Sequence, residues 1–527
     1  MFLPRLPLLL TAPFFSRQSV SCFFFLISSF TLLNCQTTAK KPKVAAADQW
    51  RPLRQHLLGA NANLAALDRP WENDSLIAIT AKTGIKTLRY PGGTIGNYWD
   101  WDTGAIDKAV PDSLMIKWVV ENGFNESSKT YTMEHLALLY KDTGIVPIFM
   151  LNMLSKDLEH SVRNLKKARK LGIPIRYIEM GNELYFDIPF PLLRFPTPES
   201  YGKTCQLWIT ALKKEFPEAS FALVGNTLKR HDRQIDWNQR MLKHCTNADA
   251  MVLHTYSPSG LDGRLERKKI APGSEGLGAQ KTATRKAPKD LAERQAWERE
   301  LLKDRKAYAN MFTSKAKQLK KLDAYTLPEG MELWVTEFNI RDDNSIVLHS
   351  WAQTLILSEY YFTFLTKDVT ISNLHNLIGN LFGMVHTDSL NFEHLKSGRT
   401  KSIPYTLSAG GMCTFLFNEA MADMTSAAPL QFENALFLTD DRGEKMDVLK
   451  GWSFSNGKNR KAIIVNYGFE ERTVSLMEDL GTKGTIHSYN APPESPVIGF
   501  DHVDTAKASF EKQLQLPPHS ISIITFE

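Results

Sequence analysis

Short apolar runs alternate with longer stretches of helical periodicity from residue 55 to about residue 420. The runs have the length and the aliphatic content of buried strands, and the stretches between them repeat apolar residues every three or four positions, as amphipathic helices do. The runs predict eight strands, over residues 57–62, 85–90, 145–152, 175–183, 221–226, 250–256, 332–339 and 370–377. Among the segments between them, helices are predicted over residues 132–141, 157–170, 200–216, 234–244 and 350–364.

Eight successive β/α units are the number that closes a TIM barrel. The pattern therefore predicts an α/β fold with a (β/α)8 barrel over residues 55–422. A doubly wound sheet is the alternative. No glycine-rich GxGxxG motif follows the first strand, so nothing in the sequence indicates a dinucleotide cofactor.

The pattern changes after about residue 425 to short alternating runs separated by Asn, Gly and Pro. Residues 423–527 are therefore predicted to form an antiparallel β-sandwich. Residues 36–54 are interpreted as a linker, part of which can add a strand to that sandwich.

The first 35 residues differ in kind from the rest of the chain. Arg5 and Arg17 precede an apolar segment over residues 22–33, which indicates an export signal. The sequence Leu32-Leu33-Asn34-Cys35 is similar to a bacterial lipobox, although Asn34 stands where a small residue is usual. We expect a protein of the bacterial cell surface, outer membrane or periplasm, with membrane contact only through a lipid on Cys35; an uncleaved membrane anchor is the alternative.

Composition and charge limit the classes of binding partner. The chain is 43% apolar with a net charge of +6, values that are ordinary for a globular protein. The sequence contains no nucleic-acid-binding motif. Positive charge concentrates in an insertion over about residues 257–322, whose basic residues include Arg264, Arg267, Lys268, Lys269, Lys281, Arg285, Lys286 and Lys289. Such a segment attracts an anionic polysaccharide or is simply a solvated loop.

Cysteine usage indicates no metal site. Beyond Cys22 and Cys35 in the N-terminal segment only Cys205, Cys245 and Cys413 remain. Their number is odd and their spacing is not that of metal ligands, so neither a disulfide framework nor a zinc site is predicted.

Two glutamates at the ends of apolar runs carry the chemistry: Glu183 in Met180-Gly-Asn-Glu183, and Glu337 in Val335-Thr-Glu-Phe338. Cleaving a glycosidic bond needs one carboxylic acid to protonate the leaving oxygen and one carboxylate to attack the anomeric carbon. A pair at the ends of barrel strands meets that need without metal or cofactor. The alternatives are a capping or surface carboxylate for Glu183 and a structural ion pair for Glu337.

The motifs resemble those of clan A glycoside hydrolases, in the branch of family 51 α-L-arabinofuranosidases, family 39 and the heparanase-like β-glucuronidases of family 79. The resemblance rests on Leu88-Arg-Tyr-Pro-Gly-Gly93, Gly144-Ile-Val-Pro-Ile-Phe-Met-Leu-Asn152, Met180-Gly-Asn-Glu183, Leu253-His-Thr-Tyr256 and Trp334-Val-Thr-Glu-Phe-Asn339. It implies that Glu183 is the acid/base and Glu337 the nucleophile of a retaining enzyme.

The resemblance also implies roles around the pair. Arg89 would keep Glu337 ionised, Asn182 would bind the 2-hydroxyl of the sugar, Tyr256 would hydrogen-bond the nucleophile and His254 would line the same floor. The alternatives are a structural arginine that bridges barrel strands, a core histidine and a packing tyrosine.

Further substrate contacts are predicted for Asn152 at the end of the third strand, with a turn residue as the alternative. Trp99 and Trp101 are predicted to stack on sugar faces, although they could instead seal the barrel mouth. The region of His375 in the eighth strand lacks the tryptophan common in many clan members, which leaves the substrate open.

The sequence therefore predicts an exported retaining glycoside hydrolase acting on a polysaccharide or oligosaccharide, arabinofuranosidase-like or β-glucuronidase-like. A non-catalytic surface glycan-binding protein on a decayed barrel is the alternative. A serine esterase is disfavoured because no Gly-x-Ser-x-Gly elbow follows a strand.

Overall fold

The structure is a computed structural model that describes residues 42–46, 49–62, 70–126, 130–263, 285–324, 327–342, 344–378, 383–386 and 405–527. All of them belong to one compact unit, Lys41–Glu527. The predicted export signal with Cys35 lies outside the described residues, as do residues 264–284 of the basic insertion. Within the described ranges no helix has the length and apolar character needed to cross a bilayer.

In these residues the strands are β1 Lys43–Ala46, β2 Arg51–Pro52, β3 Leu58–Asn61, β4 Thr87–Tyr90, β5 Trp99–Asp100, β6 Ala105–Ile106, β7 Val146–Met150, β8 Tyr177–Glu179, β9 Ser220–Val224, β10 Ala250–Ser257, β11 Glu332–Ile340, β12 Ile371–His375, β13 Val385–His386, β14 Thr406–Leu407, β15 Ser426–Glu433, β16 Phe437–Thr439, β17 Lys445–Asp447, β18 Leu449–Ser455, β19 Arg460–Asn466, β20 Arg472–Leu476, β21 Lys483–Asn490, β22 Asp504–Glu511, β23 Gln513–Leu516 and β24 Ser520–Phe526. The α-helices are α1 Asp74–Thr83, α2 Lys117–Glu121, α3 Met133–Thr143, α4 Leu158–Lys170, α5 Pro189–Arg194, α6 Pro198–Glu215, α7 Trp237–Leu242, α8 Leu291–Lys303, α9 Arg305–Leu319, α10 Trp351–Thr366 and α11 Ala409–Met421. Short 3-10 helices include Pro70–Glu72 and Thr94–Tyr98.

Eight parallel strands close into a barrel in the cyclic order β3, β4, β7, β8, β9, β10, β11 and β12. Every strand pairs with the next barrel strand along the chain, and β12 pairs with β3 to close the ring. Helices lie in each connection between them. All eight strands predicted from the sequence belong to this ring, so the prediction of a (β/α)8 barrel is confirmed.

Local sequence explains where the barrel helices begin and end. At α1, the side chain of Asn73 accepts the backbone N–H of Leu76 at 3.1 Å, and Gly84 ends the helix with a φ of +75°. An asparagine at the N-cap and a glycine in the left-handed region are the residues that stabilise such ends. By contrast α10 is apolar on nearly all faces and is buried on nearly all of them, because the β domain packs on the side that other barrel helices expose to water.

The C-terminal strands are hydrogen-bonded in the order β22, β21, β24, β19, β18, β15, β1, β20 and β23, in which β15 joins the two halves of the sandwich. The first half of β15 pairs with β18, and its second half pairs with β1 from the N-terminal end of the described chain. The predicted extra strand from residues 44–54 thus takes the form of β1 and β2, both on β15. The sandwich is confirmed, but it is not wholly antiparallel: β1 runs parallel to β20, because a strand that comes from the other end of the chain is not oriented by a hairpin.

The inward-facing positions of the barrel change from apolar to polar toward the carboxyl ends of the strands. One cluster of buried apolar side chains fills the middle of the barrel: Ile148, Ala222, Ala250, Val252, Trp334 and Ile371. Two residues further along β10, β11 and β12 stand the polar residues His254, Thr336 and Asn373, whereas β7 and β9 continue with Met150 and Val224. Since alternate residues of a strand face the same side, this second level forms a polar floor above a packed apolar base.

Candidate active site

A buried arginine lies at the centre of the polar floor. The Arg89 side chain, from β4, has no exposed surface and donates from Nε and Nη2 to the two carboxylate oxygens of Glu179 at 2.6 and 2.7 Å. Its Nη1 donates to Glu337 Oε1 at 2.7 Å, and Nη2 also donates to Asn182 Oδ1 at 2.8 Å. One guanidinium thus joins β4 to side chains that follow or belong to β8 and β11, and the negative charges around it raise the pKa of Arg89 despite its burial.

Glu337 receives hydrogen bonds on both carboxylate oxygens. Oε1 accepts from Arg89 and, at 3.2 Å, from Asn61 Nδ2 at the end of β3. Oε2 accepts the hydroxyl of Tyr256 at 2.7 Å. The Nδ1 atoms of His254 and His375 both lie 3.7 Å from Oε2.

These partners decide the charge of Glu337. Burial by itself raises the pKa of a carboxyl group, but His254, His375 and Arg89, together with the Tyr256 hydroxyl, hold the pKa of Glu337 well below its usual range. The same contact works in reverse on the phenol, because burial and the nearby carboxylate raise the pKa of Tyr256 well above 10. Glu337 is therefore a carboxylate and Tyr256 a neutral donor at neutral pH.

An irregularity in β11 lets neighbouring residues face the same floor. The register between β11 and β12 shifts between Val335 and Phe338, and that between β10 and β11 shifts near His254. In a regular strand Thr336 and Glu337 would point to opposite faces. Here Thr336 Oγ1 donates to Glu179 at 3.4 Å while Glu337 contacts Arg89, so the shift aims both side chains inward, a common use of such irregularities beside sites.

Glu183 follows β8 with a backbone φ of +46°, in the left-handed region that non-glycine residues rarely adopt. Its Oε1 accepts the Tyr185 hydroxyl at 3.1 Å and lies 3.0 Å from His254 Nδ1. One carboxylate oxygen of Glu183 and one of Glu337 lie within 4.8 Å of each other, with His254 beside both. The two glutamates predicted from the sequence are therefore together.

His254 links the two carboxylates to the floor below them. Burial disfavours its charged form, but Glu337 and Glu183 act more strongly and raise the pKa of His254 above 6.5. When protonated, His254 donates from Nδ1 to Glu183 and from Nε2 to Thr336 Oγ1 at 3.2 Å. Oε1 of Glu183 then accepts hydrogen bonds from both His254 and Tyr185.

The backbone of Asn182 is fixed by Asn97, which lies in the 3-10 helix after β4. The two residues bond reciprocally: Asn97 Nδ2 donates to the carbonyl of Asn182 at 2.7 Å, and the Asn182 N–H donates to Asn97 Oδ1 at 3.0 Å. The side chain of Asn182 is turned toward Arg89. The predicted pair of Asn182 and Glu183 is thereby held against the loop after β4.

His375 and Asn61 complete the floor where the barrel closes. Asn61 Nδ2 also donates to His375 Nδ1 at 3.0 Å, which places the proton of a neutral His375 on Nε2. Burial lowers the pKa of His375 to about 4, so the ring is neutral at pH 7. Gly92, with a φ of +85°, lies so close that a Cβ there would overlap Asn61 Oδ1.

Three predicted substrate contacts are placed differently. Asn152 is 1% exposed, accepts the backbone N–H groups of Leu154 and Ser155, and donates to the Trp99 carbonyl. Trp99 and Trp101 are 1% and 4% exposed, because Trp99 packs on Tyr131 and Trp101 on Tyr90. In the structure these three side chains are thus buried against neighbouring protein groups, and their contact with sugar stays a prediction.

Two clusters in the described residues bring together groups that could ligate a metal ion: Glu183 with His254 and Glu337, and Asp100 with Asp102 and His160. In both clusters protein cations already balance the carboxylate charges. Arg89 forms an ion pair with Glu337 in the first cluster. In the second, Lys156 pairs with Asp100 at 2.9 Å and Arg163 pairs with Asp102 at 2.6 Å. Both are therefore interpreted as networks of protein charges.

Several residues of the site were not identified from the sequence: Asn61, Asn97, Glu179, Tyr185 and His375. Glu179 had a usable signal, because a carboxylate inside an apolar strand, four residues before Glu183, must be buried and so needs a cationic partner. The other four are polar residues at strand ends or in loops, where a contact is not distinguishable from a solvated position.

Many solved structures match the chain, and three of them show how much of it is covered. The α-L-arabinofuranosidase from Thermotoga maritima, in complex with arabinose, is 16% identical with a TM-score of 0.57, covering 92% of this chain and 100% of that chain. The family 51 arabinofuranosidase from Xanthomonas axonopodis pv. citri is 15% identical with a TM-score of 0.61 and the same coverage. The 4-O-α-L-rhamnosyl-β-D-glucuronidase from Fusarium oxysporum is 13% identical with a TM-score of 0.55, again with the same coverage.

The chain has the fold of these enzymes. The resemblance to the clan A branch is thus confirmed for the fold, including both the barrel and the β-sandwich. No protein-family profile matches the sequence, and no curated protein matches it in sequence.

Proposed function

We propose that this protein is a retaining glycoside hydrolase in which Glu337 is the nucleophile and Glu183 the acid/base. The proposal rests on one observation: two glutamate carboxylates at the carboxyl ends of barrel strands, with oxygens within 4.8 Å of each other. Retaining enzymes hold their two carboxyl groups about 5 to 5.5 Å apart, and inverting enzymes hold them about 6.5 to 9.5 Å apart to admit a water. The separation supports retention.

In the first step Glu337 attacks the anomeric carbon as the bond to the leaving oxygen breaks, and Glu183 gives its proton to that oxygen. The surroundings divide these roles. Glu337 is kept ionised by Arg89 and by the Tyr256 hydroxyl, and neither contact blocks attack, because each oxygen has more than one lone pair. Asn182, whose side chain is turned toward the same floor, is proposed to bind the sugar hydroxyl next to the anomeric carbon.

In the second step Glu183, now a carboxylate, takes a proton from water as the water oxygen bonds the anomeric carbon and the bond to Glu337 breaks. Two displacements restore the original configuration. Glu337 leaves as a carboxylate, and the low pKa to which His254 and Arg89 contribute makes it a good leaving group. The protein groups suffice for both steps.

The proposed substrate is a polysaccharide or oligosaccharide with an arabinofuranoside-like or glucuronide-like sugar. The names of the structural neighbours support both sugar types, and the basic composition of the insertion supports an anionic polymer. The apolar N-terminal segment supports export, and Cys35 is the proposed lipid attachment site.

The test is hydrolysis of aryl α-L-arabinofuranoside, β-D-xyloside, β-D-glucoside, β-D-galactoside and β-D-glucuronide by the mature protein beside two variants, Glu337→Gln and Glu183→Gln. Each variant should lose about 10²- to 10⁴-fold in kcat/KM on the glycoside that the wild type cleaves. Glu332→Gln is the matched control, since Glu332 lies in the same strand at the other end of the barrel and bonds Trp334. NMR of the first product should show retained configuration.

Equal small losses in both variants would refute the assignment, and an inverted first product would refute the double displacement. If the wild type cleaves none of the five glycosides, digestion of extended arabinan and glucuronan-type polymers decides between an endo-acting enzyme and the alternative, a glycan-binding protein. Polymer that is bound without any new reducing ends would establish binding alone.

A further inference from the structure

One buried arginine outside the carboxylate cluster holds the segment that follows Glu183. Arg233 lies in the connection between β9 and α7 and donates to four backbone carbonyls of residues 184–195. This segment, which includes the short helix α5, is here called the acid/base loop. Nη2 donates to the carbonyl of Leu184 at 2.6 Å and Nη1 to that of Phe186 at 3.0 Å. Nε and Nη2 donate to the Phe195 carbonyl at 3.1 and 2.6 Å, and Nη2 reaches Pro191 at 3.3 Å.

This is an uncommon use of a buried arginine. Arg233 is 8% exposed, its guanidinium lies 5.0 Å from the ring centre of Trp237, and an Asp187 oxygen is 3.8 Å away. Burial lowers the pKa of Arg233 to about 10. A buried arginine that donates mainly to backbone carbonyls fixes the path of that backbone. The N–H donors of its planar guanidinium have fixed directions, so the carbonyl oxygens must lie in matching positions.

The loop that Arg233 fixes carries the groups that orient Glu183. Its first bonded carbonyls, on Leu184 and Phe186, flank Tyr185, whose hydroxyl bonds Glu183 Oε1. Glu183 itself has the strained φ of +46°, which persists only when its surroundings impose it. The contacts of Arg233 with both neighbours of Tyr185 supply such a constraint.

We propose that Arg233 is a positioning residue for the acid/base: it holds the acid/base loop so that Glu183 keeps its strained backbone and Tyr185 keeps its bond to Glu183 Oε1. The proposal rests on the proposed function, since it assigns Arg233 to proton transfer by Glu183. Arg233 has no contact with Glu337 among the hydrogen bonds and ion pairs of the described residues, so nucleophilic attack should be spared when Arg233 is replaced.

The experiment compares Arg233→Gln and Arg233→Lys with Arg240→Gln. Arg240, in α7, pairs with both carboxylate oxygens of Glu199 at 2.7 and 2.9 Å and donates to the Asp232 carbonyl at 3.4 Å. Among the described residues no hydrogen bond joins it to the acid/base loop, which makes it the matched control. The substrates are the 2,4-dinitrophenyl and the phenyl glycoside of the sugar that the wild type cleaves. Only the phenyl leaving group needs a proton from Glu183, and kcat/KM reports the step in which that group departs.

For Arg233→Gln we expect kcat/KM on the phenyl glycoside to fall about 10²-fold, the effect of misplacing a catalytic group by roughly 1 Å, with less than about threefold loss on the dinitrophenyl glycoside. Arg233→Lys should fall between Gln and wild type, since an ammonium reaches fewer carbonyls. Amide hydrogen exchange across residues 184–195 should accelerate in both variants. Arg240→Gln should change neither measurement.

Equal losses on both substrates, or none, would overturn the role of Arg233 in proton transfer, and unchanged exchange in residues 184–195 would overturn its hold on the loop. These results differ from failure of the proposed function. In that case the wild type itself cleaves no glycoside or polymer, and the assignment of Arg233 to proton transfer falls with it.

Discussion

Replacing Arg89 by methionine should be among the most destabilising single changes in the barrel. The guanidinium makes four hydrogen bonds of 2.6 to 2.8 Å and is fully buried. Methionine fills a similar length without a charge and leaves Glu179 and Glu337 facing each other with no cation between them. Both carboxylates are nearly inaccessible to water, at 0% and 6% side-chain exposure.

The size of the effect follows from that burial. Removing one partner of a buried ion pair costs about 3 to 5 kcal/mol, because the charge that remains is neither hydrated nor paired. A second change, Glu179→Gln, removes one of the two carboxylate charges that Arg89→Met leaves without a cation. The double variant should therefore be more stable than Arg89→Met alone by about 2 kcal/mol, a coupling of the size expected between groups in direct contact. Both should be inactive, because Glu337 loses the guanidinium that donates to its Oε1.

The assay is urea unfolding followed by tryptophan fluorescence, with the free energy of unfolding extrapolated for wild type, Arg89→Met, Glu179→Gln and the double variant. Arg54→Met is the control: Arg54 pairs with Asp368 with similar geometry, at 2.9 and 2.6 Å, but on the surface, where a pair contributes about 0 to 1 kcal/mol. The reasoning fails if Arg89→Met costs no more than Arg54→Met, or if Glu179→Gln makes Arg89→Met less stable.

Two further predictions concern the seam of the barrel. His375 has a folded pKa of about 4, against 6.5 for a free imidazole, so between these pH values the unfolded chain binds a proton at this residue and the folded chain does not. The free energy of unfolding therefore falls as the pH drops from 6.5 to 4, and His375→Gln should remove about 3 kcal/mol of that fall. Parallel curves of stability against pH for wild type and variant would contradict this prediction. Gly92→Ala should lower both stability and activity, because the new methyl group displaces Asn61 from Glu337. Gly123→Ala is the control: Gly123 has a φ of +66° but open space around it, so this variant measures the backbone strain alone. Equal losses in stability and activity for the two glycine variants would exclude the steric effect.

The barrel could be predicted because its strands are buried on both sides. Such strands are continuous apolar runs that stand out from the amphipathic helices between them, and β10, predicted over residues 250–256, is Ala250–Ser257. Helix ends were less predictable: α7, predicted over residues 234–244, is only Trp237–Leu242. There Gln234 bonds neighbouring loop backbone and Asp236 has a φ of +53°, so tertiary contacts override a periodic pattern.

The sandwich shows a different limit. Its hairpin-connected strands are local in sequence and were visible as alternating runs. The parallel pairing of β1 with β20 joins Lys43 to Ser475, so its partner and direction depend on how the two chain ends meet. No local pattern encodes that meeting.

In the candidate site, too, some residues could be identified from the sequence and others could not. Glu183 and Glu337 were singled out because each ends an apolar run, and Arg89, Asn182 and Tyr256 because their motifs resemble those of clan A enzymes; the structure brings the five together. The sequence does not show which other side chains form hydrogen bonds or ion pairs with these residues, because such partners come from strands that are far apart in the chain. A tryptophan in a loop is similarly ambiguous, because the same apolar ring suits a sugar face and a packed loop equally well.

The contacts of Glu337 explain why the closing strands of the barrel matter to the chemistry. Its hydrogen bonds come from Asn61 on β3, Arg89 on β4 and Tyr256 on β10, with His375 of β12 beside it. Because β3 and β12 are the first and last strands of the ring, Asn61 and His375 meet only when the ring is closed. The surroundings of Glu337 therefore depend on the pairing of β12 with β3, because that pairing joins the last barrel strand to the first and so brings Asn61 and Arg89 beside Tyr256 and His375.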